Sequence, residues 1–94
     1  MKKQRDIDYI IKTLEARVPD VIVVQMNKVH PADDDNLWWF RVPNERRDIQ
    51  IESPTGNCPF IVECSDDKSS SDARTGHTTG EVVLMVENYL AGLR

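Results

Sequence analysis

The chain is poor in the residues that tie a protein to a metal, a membrane or a polyanion. Two cysteines and two histidines among 94 residues leave few soft ligands, and no pair of them has the C-x₂₋₄-C spacing of a structural zinc site. No apolar run approaches the ~20 residues of a membrane-spanning helix. Lys and Arg number 12 against 16 Asp and Glu, a net charge of −4. That balance argues against nucleic acid, whose phosphates reward a basic face. Only four glycines are present, and none stands in the GK[ST] spacing of a Walker A loop.

What is present is the composition of one ordinary globular domain spanning residues 1–94, 39% hydrophobic and 30% charged. The N-terminus carries Lys2, Lys3, Arg5, Asp6, Asp8 and Lys12 where a secretory signal needs an unbroken apolar stretch, so a cytoplasmic location is expected. Cys58 and Cys64 are six apart along a stretch that reads as extended, which separates their Cα atoms by about 20 Å. A disulfide needs them within about 7 Å, so both thiols are expected to be free.

The clearest pattern is Asp48 to Cys64, DIQIESPTGNCPFIVEC. Ile49 and Ile51 alternate with Asp48, Gln50 and Glu52, and Phe60, Val62 and Cys64 alternate with Ile61, Glu63 and Ser65, the period of two that marks half-buried strands. Between them Ser53-Pro54-Thr55-Gly56-Asn57 reads as a hairpin turn, with Pro54 presetting φ and Gly56 supplying a positive φ. One face of this hairpin is apolar. The other gathers Asp48, Gln50, Glu52 and Glu63, a pattern that a simply solvated sheet face also explains.

The remaining elements follow from periodicity. Ile7, Ile10, Ile11 and Leu14 at i, i+3, i+4 and i+7 predict a helix over about residues 2–17, stopped by Pro19. The β-branched run 21–29 predicts a strand with Ile22, Val24 and Met26 inward. Residues 37–42 predict another, with Trp38, Phe40 and Val42 inward and Trp39 and Arg41 outward. Ser65 to His77 reads as a long irregular loop. Thr78 and Glu81 stand in capping-box relation before a helix over 79–91, whose stripe is Val82, Val83, Val86, Tyr89, Leu90 and Leu93, with Gly92 as its C-terminal cap. The expected fold is α+β in the order α-β-β-β-β-α, a four-stranded antiparallel meander with both helices on one face.

No stretch carries a catalytic signature. His30, Asp33, Asp34 and Asp35 cluster in a loop, but they lack the glycine and closing glutamate of a calcium site and read as a solvated acidic turn. Cys58, with His77 and Arg74, offers a candidate nucleophile, base and anion donor, yet no spacing assembles them. The carboxylates Asp48, Glu52 and Glu63 have no cleft to raise a pKa. Lys68 to Thr78 combines serines, Arg74, Gly76 and a helix start, a composition that suits an anion or a self-bonded polar loop. No cofactor and no metal is expected.

Trp38-Trp39-Phe40, DIQIES at 48–53, CPFIVE at 58–63 and SSSDARTG at 69–76 together resemble a group of short bacterial α+β proteins with no assigned activity. The resemblance covers about half of the chain, from Trp38 to Leu90. In size and acidity such proteins are similar to immunity proteins, which block a toxin by binding it. The resemblance implies a binding role and no residue role. The reading it leaves is a cytosolic, non-catalytic protein-binding module that uses Trp39, Arg41, Asp48, Gln50, Glu52 and Glu63, with Arg74 from the serine loop. The alternatives are a homodimer that buries the same face, and a small enzyme or anion-binding domain around Cys58, His77 and residues 69–76.

Overall fold

The computed structural model describes residues 4–25, 37–66 and 72–93. Two helices and five strands occur in the order α1 (Asp6–Arg17), β1 (Ile22–Gln25), β2 (Leu37–Arg41), β3 (Ile49–Glu52), β4 (Phe60–Cys64), β5 (Arg74–Gly76) and α2 (Thr79–Gly92). The strands form one sheet in sequence order, each antiparallel to its neighbour. The fold is therefore the α+β meander that the sequence predicts, with five strands in place of four.

The added strand lies inside the stretch expected to be irregular. Arg74-Thr75-Gly76 pairs with β4 through Val62, Ile61 and Phe60. An edge strand this short has no room for apolar alternation, and its one buried residue is a glycine, so its sequence looks like a loop. Ser69, Ser70 and Ser71 lie outside the described residues.

One apolar layer holds the sheet to the helices. Trp38, Phe40, Ile49, Ile51, Phe60 and Val62 project to the same side and meet Ile7, Ile10 and Leu14 of α1 and Val82, Val83, Val86 and Leu90 of α2. Trp38 and Phe60 make an edge-to-face contact with ring centroids 6.4 Å apart. Arg17 of α1 and Glu87 of α2 join the helices at 3.0 Å. Each strand residue assigned inward in β2, β3 and β4 is where the alternation puts it.

β1 is the exception. Val23 faces the core opposite Phe40, whereas Val24 pairs with Trp39 and is 43% exposed. The expectation of Ile22 and Val24 inside is thus reversed. The polar residue of β1, Gln25, sits opposite buried Trp38, so polarity misleads on the phase and the register with β2 decides it. Met26 to Asn36, including His30, Asp33, Asp34 and Asp35, lie outside the described residues.

α1 begins at Asp6, later than its periodicity suggests, because the β3–β4 turn claims its first amides. Asp6 N–H donates to Asn57 Oδ1 at 2.9 Å and Ile7 N–H donates to the Gly56 carbonyl at 2.9 Å, while Asp6 Oδ2 accepts from Cys58 N–H at 2.9 Å. A helix leaves its first amides without internal partners, and here a hairpin turn supplies them. The turn itself is held by buried Ser53, whose hydroxyl donates to the Asn57 carbonyl at 2.6 Å. Gly56 has φ 76°, the positive value that the turn requires.

α2 is capped as its sequence indicates on one side only. Thr78 Oγ1 accepts from Glu81 N–H at 3.1 Å, but the Glu81 carboxylate reaches back to His77 N–H at 3.0 Å, one residue before the cap. At the other end the helix runs through Gly92, and Leu93 in right-handed conformation closes it. Gly92 is not a left-handed cap.

The candidate interaction face

Because both helices cover one side of the sheet, the alternate residues of every strand remain on an uncovered side. The pairing register arranges them in rows. Val24, Trp39, Gln50 and Glu63 form one row across four strands, and Leu37, Glu52, Ile61 and Thr75 form the next. Ile22 and Arg41 lie opposite one another at the β1–β2 end. The face is mixed, not simply acidic. Val24 and Ile61 are 43% and 45% exposed, with Leu37 and Trp39 half-buried beside them.

Trp39 is held in place by its neighbour. Its Nε1–H donates to Gln50 Oε1 at 3.1 Å, a cross-strand bond that satisfies the one polar atom of the indole. Gln50 thus orients an aromatic side chain. Asp48 helps to close the open end of the β3–β4 hairpin. Its N–H donates to Ser65 Oγ at 2.9 Å, and its Oδ1 accepts from that hydroxyl at 2.8 Å. Among the described residues Glu52 and Glu63 make no ion pair or side-chain hydrogen bond, and they lie diagonally across the β3–β4 pair. Two hydrated carboxylates therefore flank Ile61.

The structure brings Trp39, Arg41, Gln50, Glu52 and Glu63 together on one face, with Asp48 at its end, and separates Arg74 from them. Arg74 pairs with Val62, whose side chain is in the core, so it projects to the helix side, where its guanidinium lies 3.4 Å from Cys64 Sγ. The sequence pattern assigns Val24 to the inner side, and the pairing with Trp39 moves it to this face.

No hydrogen bond links Cys58, His77 and Arg74 among the described residues, and His77 is exposed. Cys58 and Cys64 are both free thiols. Burial and the nearby Asp6 carboxylate push the Cys58 thiol above its ordinary value, so it stays protonated at neutral pH. Alkylation of Cys58 in the folded protein is accordingly expected to be slower than that of a free thiol in a peptide at pH 7.5, and Asp6→Asn should quicken it. Mass-resolved labelling rates check this, and a rate above the peptide's contradicts it. No grouping of three or more His, Cys, Asp or Glu able to hold a metal occurs among the described residues. No helix there is long and apolar enough to cross a membrane.

Compared with protein families, curated proteins and solved structures, the chain matches none. The candidate site therefore rests on its own geometry.

Proposed function

We propose that the protein is a binding module without catalytic activity, and that the open sheet face is where it meets a protein partner. The observation that carries this reading is the pairing of exposed Ile61 and Val24 with an indole fixed by Gln50. A rigid aromatic and two aliphatic side chains give apolar contact at small entropic cost, and Glu52 and Glu63 surround them with charge. The two carboxylates select a basic surface on the partner, raising the rate of encounter and penalising acidic competitors.

The test is the Glu52→Lys/Glu63→Lys double variant. Both side chains point to solvent and neither holds the fold, so circular dichroism and thermal unfolding should be close to wild type. Affinity for a protein captured by the wild-type chain should fall by about tenfold or more, with the loss largest at low salt. A folded variant that retains full affinity overturns the proposal. The same apolar strip also favours a second reading, burial against another copy of the chain. Light scattering at twice the 10.8 kDa chain mass, reduced to a monomer by Ile61→Asp, would select it.

A further inference from the structure

At the β1–β2 corner of the sheet lies an open depression of about 360 Å³ lined by Ile22, Arg41, Val42, Asn44, Glu45 and Arg46. Its walls are set by the turn that follows β2. Pro43 occupies the second position and Asn44 the third with φ 66°, and the Val42 carbonyl accepts from Glu45 N–H at 3.3 Å, the arrangement of a type II turn. This turn carries Arg46 back to the depression that Arg41 enters from the end of β2.

The charges in the depression are unevenly used. Glu45 is the acid among its lining residues, and its carboxylate is folded back on the following residues. Oε1 accepts from the N–H groups of Arg46 and Arg47 at 3.1 and 3.2 Å and from Arg47 Nε at 3.1 Å. The Arg47 guanidinium holds Glu45 below the usual carboxylate range. Asp48, next along the chain, spends Oδ1 on Ser65 and makes no ion pair with Arg41. Among the described residues neither Arg41 nor Arg46 has an ion pair or a side-chain hydrogen bond. Two arginines with donors to offer therefore line one depression, on a chain whose net charge is −4.

We propose that this corner is a binding site for a phosphate monoester. Two forked guanidinium groups carry a charge that matches the roughly −1.5 to −2 of a phosphate monoester at pH 7, and their planar donors can share its terminal oxygens. A single carboxylate would balance only one of them. An extended polyanion is disfavoured, because the acidic remainder of the surface repels its flanks. Half-buried Ile22 and buried Val42 supply the apolar part of the depression's lining. The site shares Ile22 and Arg41 with the β1–β2 end of the open face, whereas Glu52, Glu63 and Ile61 do not line it.

The experiment is a nitrogen-15 NMR titration of the full chain at constant ionic strength. The probes are inorganic phosphate, a phosphoserine peptide and its unphosphorylated twin. Saturable shifts of the Asn44 amide and of the Arg41 and Arg46 Nε–H signals are expected with both phosphate-bearing probes. Arg41→Gln and Arg46→Gln should each weaken binding about tenfold and leave the rest of the spectrum in place. Tighter binding of the peptide than of inorganic phosphate supports a phosphate monoester carried on a protein, and the reverse order would overturn the monoester assignment in favour of the free ion. Shifts no larger than those from matched chloride, equal response to the unphosphorylated twin, or unchanged affinity in both variants would overturn the proposal.

Discussion

Gly76→Ala is expected to lower the unfolding free energy by about 1–3 kcal/mol, the range for overpacking a filled core. Gly76 is buried in the edge strand β5, and a Cβ built there runs into Val82 Cγ2. Val82 is fully buried and β-branched, so its methyl cannot swing away without leaving its preferred rotamer. The strain falls on the weakest partner, the three-residue strand, whose ladder to β4 should loosen first. Denaturant unfolding reads the loss, and a melting temperature reads it as about 4–8 °C per kcal/mol for a domain of this size. The double variant Gly76→Ala/Val82→Ala isolates the cause: removing the methyl should relieve part of the cost, so the double variant loses less than the two singles combined. Simple additivity would show that the glycine is present for another reason.

The second large effect is expected at the other glycine held by its surroundings. Gly56→Ala should cost about 1–2 kcal/mol, because a side chain at φ 76° pays the left-handed penalty that glycine avoids. Crowding adds little. The nearest atom to the new Cβ is Arg5 Nη1 at 2.8 Å, the far end of a long side chain. What magnifies the change is the double use of this turn: Gly56 closes the β3–β4 connection and its carbonyl caps the α1 amide of Ile7. Gly56→Asn, which tolerates positive φ, should recover much of the loss. Hydrogen exchange is the decisive readout, since the first turn of α1 should lose protection together with the hairpin turn. Loss confined to the hairpin would contradict the stitched arrangement.

How far the sequence reveals this molecule depends on whether each element carries an internal polar marker. β3 and β4 do: Gln50, Glu52 and Glu63 interrupt the apolar residues, and the inward set Ile49, Ile51, Phe60 and Val62 can be read from the chain. β1 carries Gln25, but at the register opposite buried Trp38, so its polarity points to the wrong phase and Ile22-Val23-Val24 is resolved only by the pairing with β2. β5 is invisible for a different reason: its close approach to Val82 depends on a missing side chain, which no periodicity records. The candidate face was legible in its charged members and in Trp39, because these follow from alternation. Its aliphatic edge at Val24, the service of Gln50 to Trp39 and the removal of Arg74 to the far side all require the pairing of strands distant in sequence.

If the uncovered side of the sheet meets a partner, and the helix side does not, substitutions on the two sides must part company in binding. Quantitative capture by three folded baits reads this: the wild-type chain, Glu52→Lys/Glu63→Lys on the sheet face, and Leu84→Lys on the helix side, where Leu84 is 52% exposed. Each bait's mass is fixed beforehand by light scattering. A stoichiometric partner should be held equally by wild type and Leu84→Lys and lost by the sheet-face variant. Retention by the sheet-face variant with loss by Leu84→Lys would contradict this and move the binding surface to the helices.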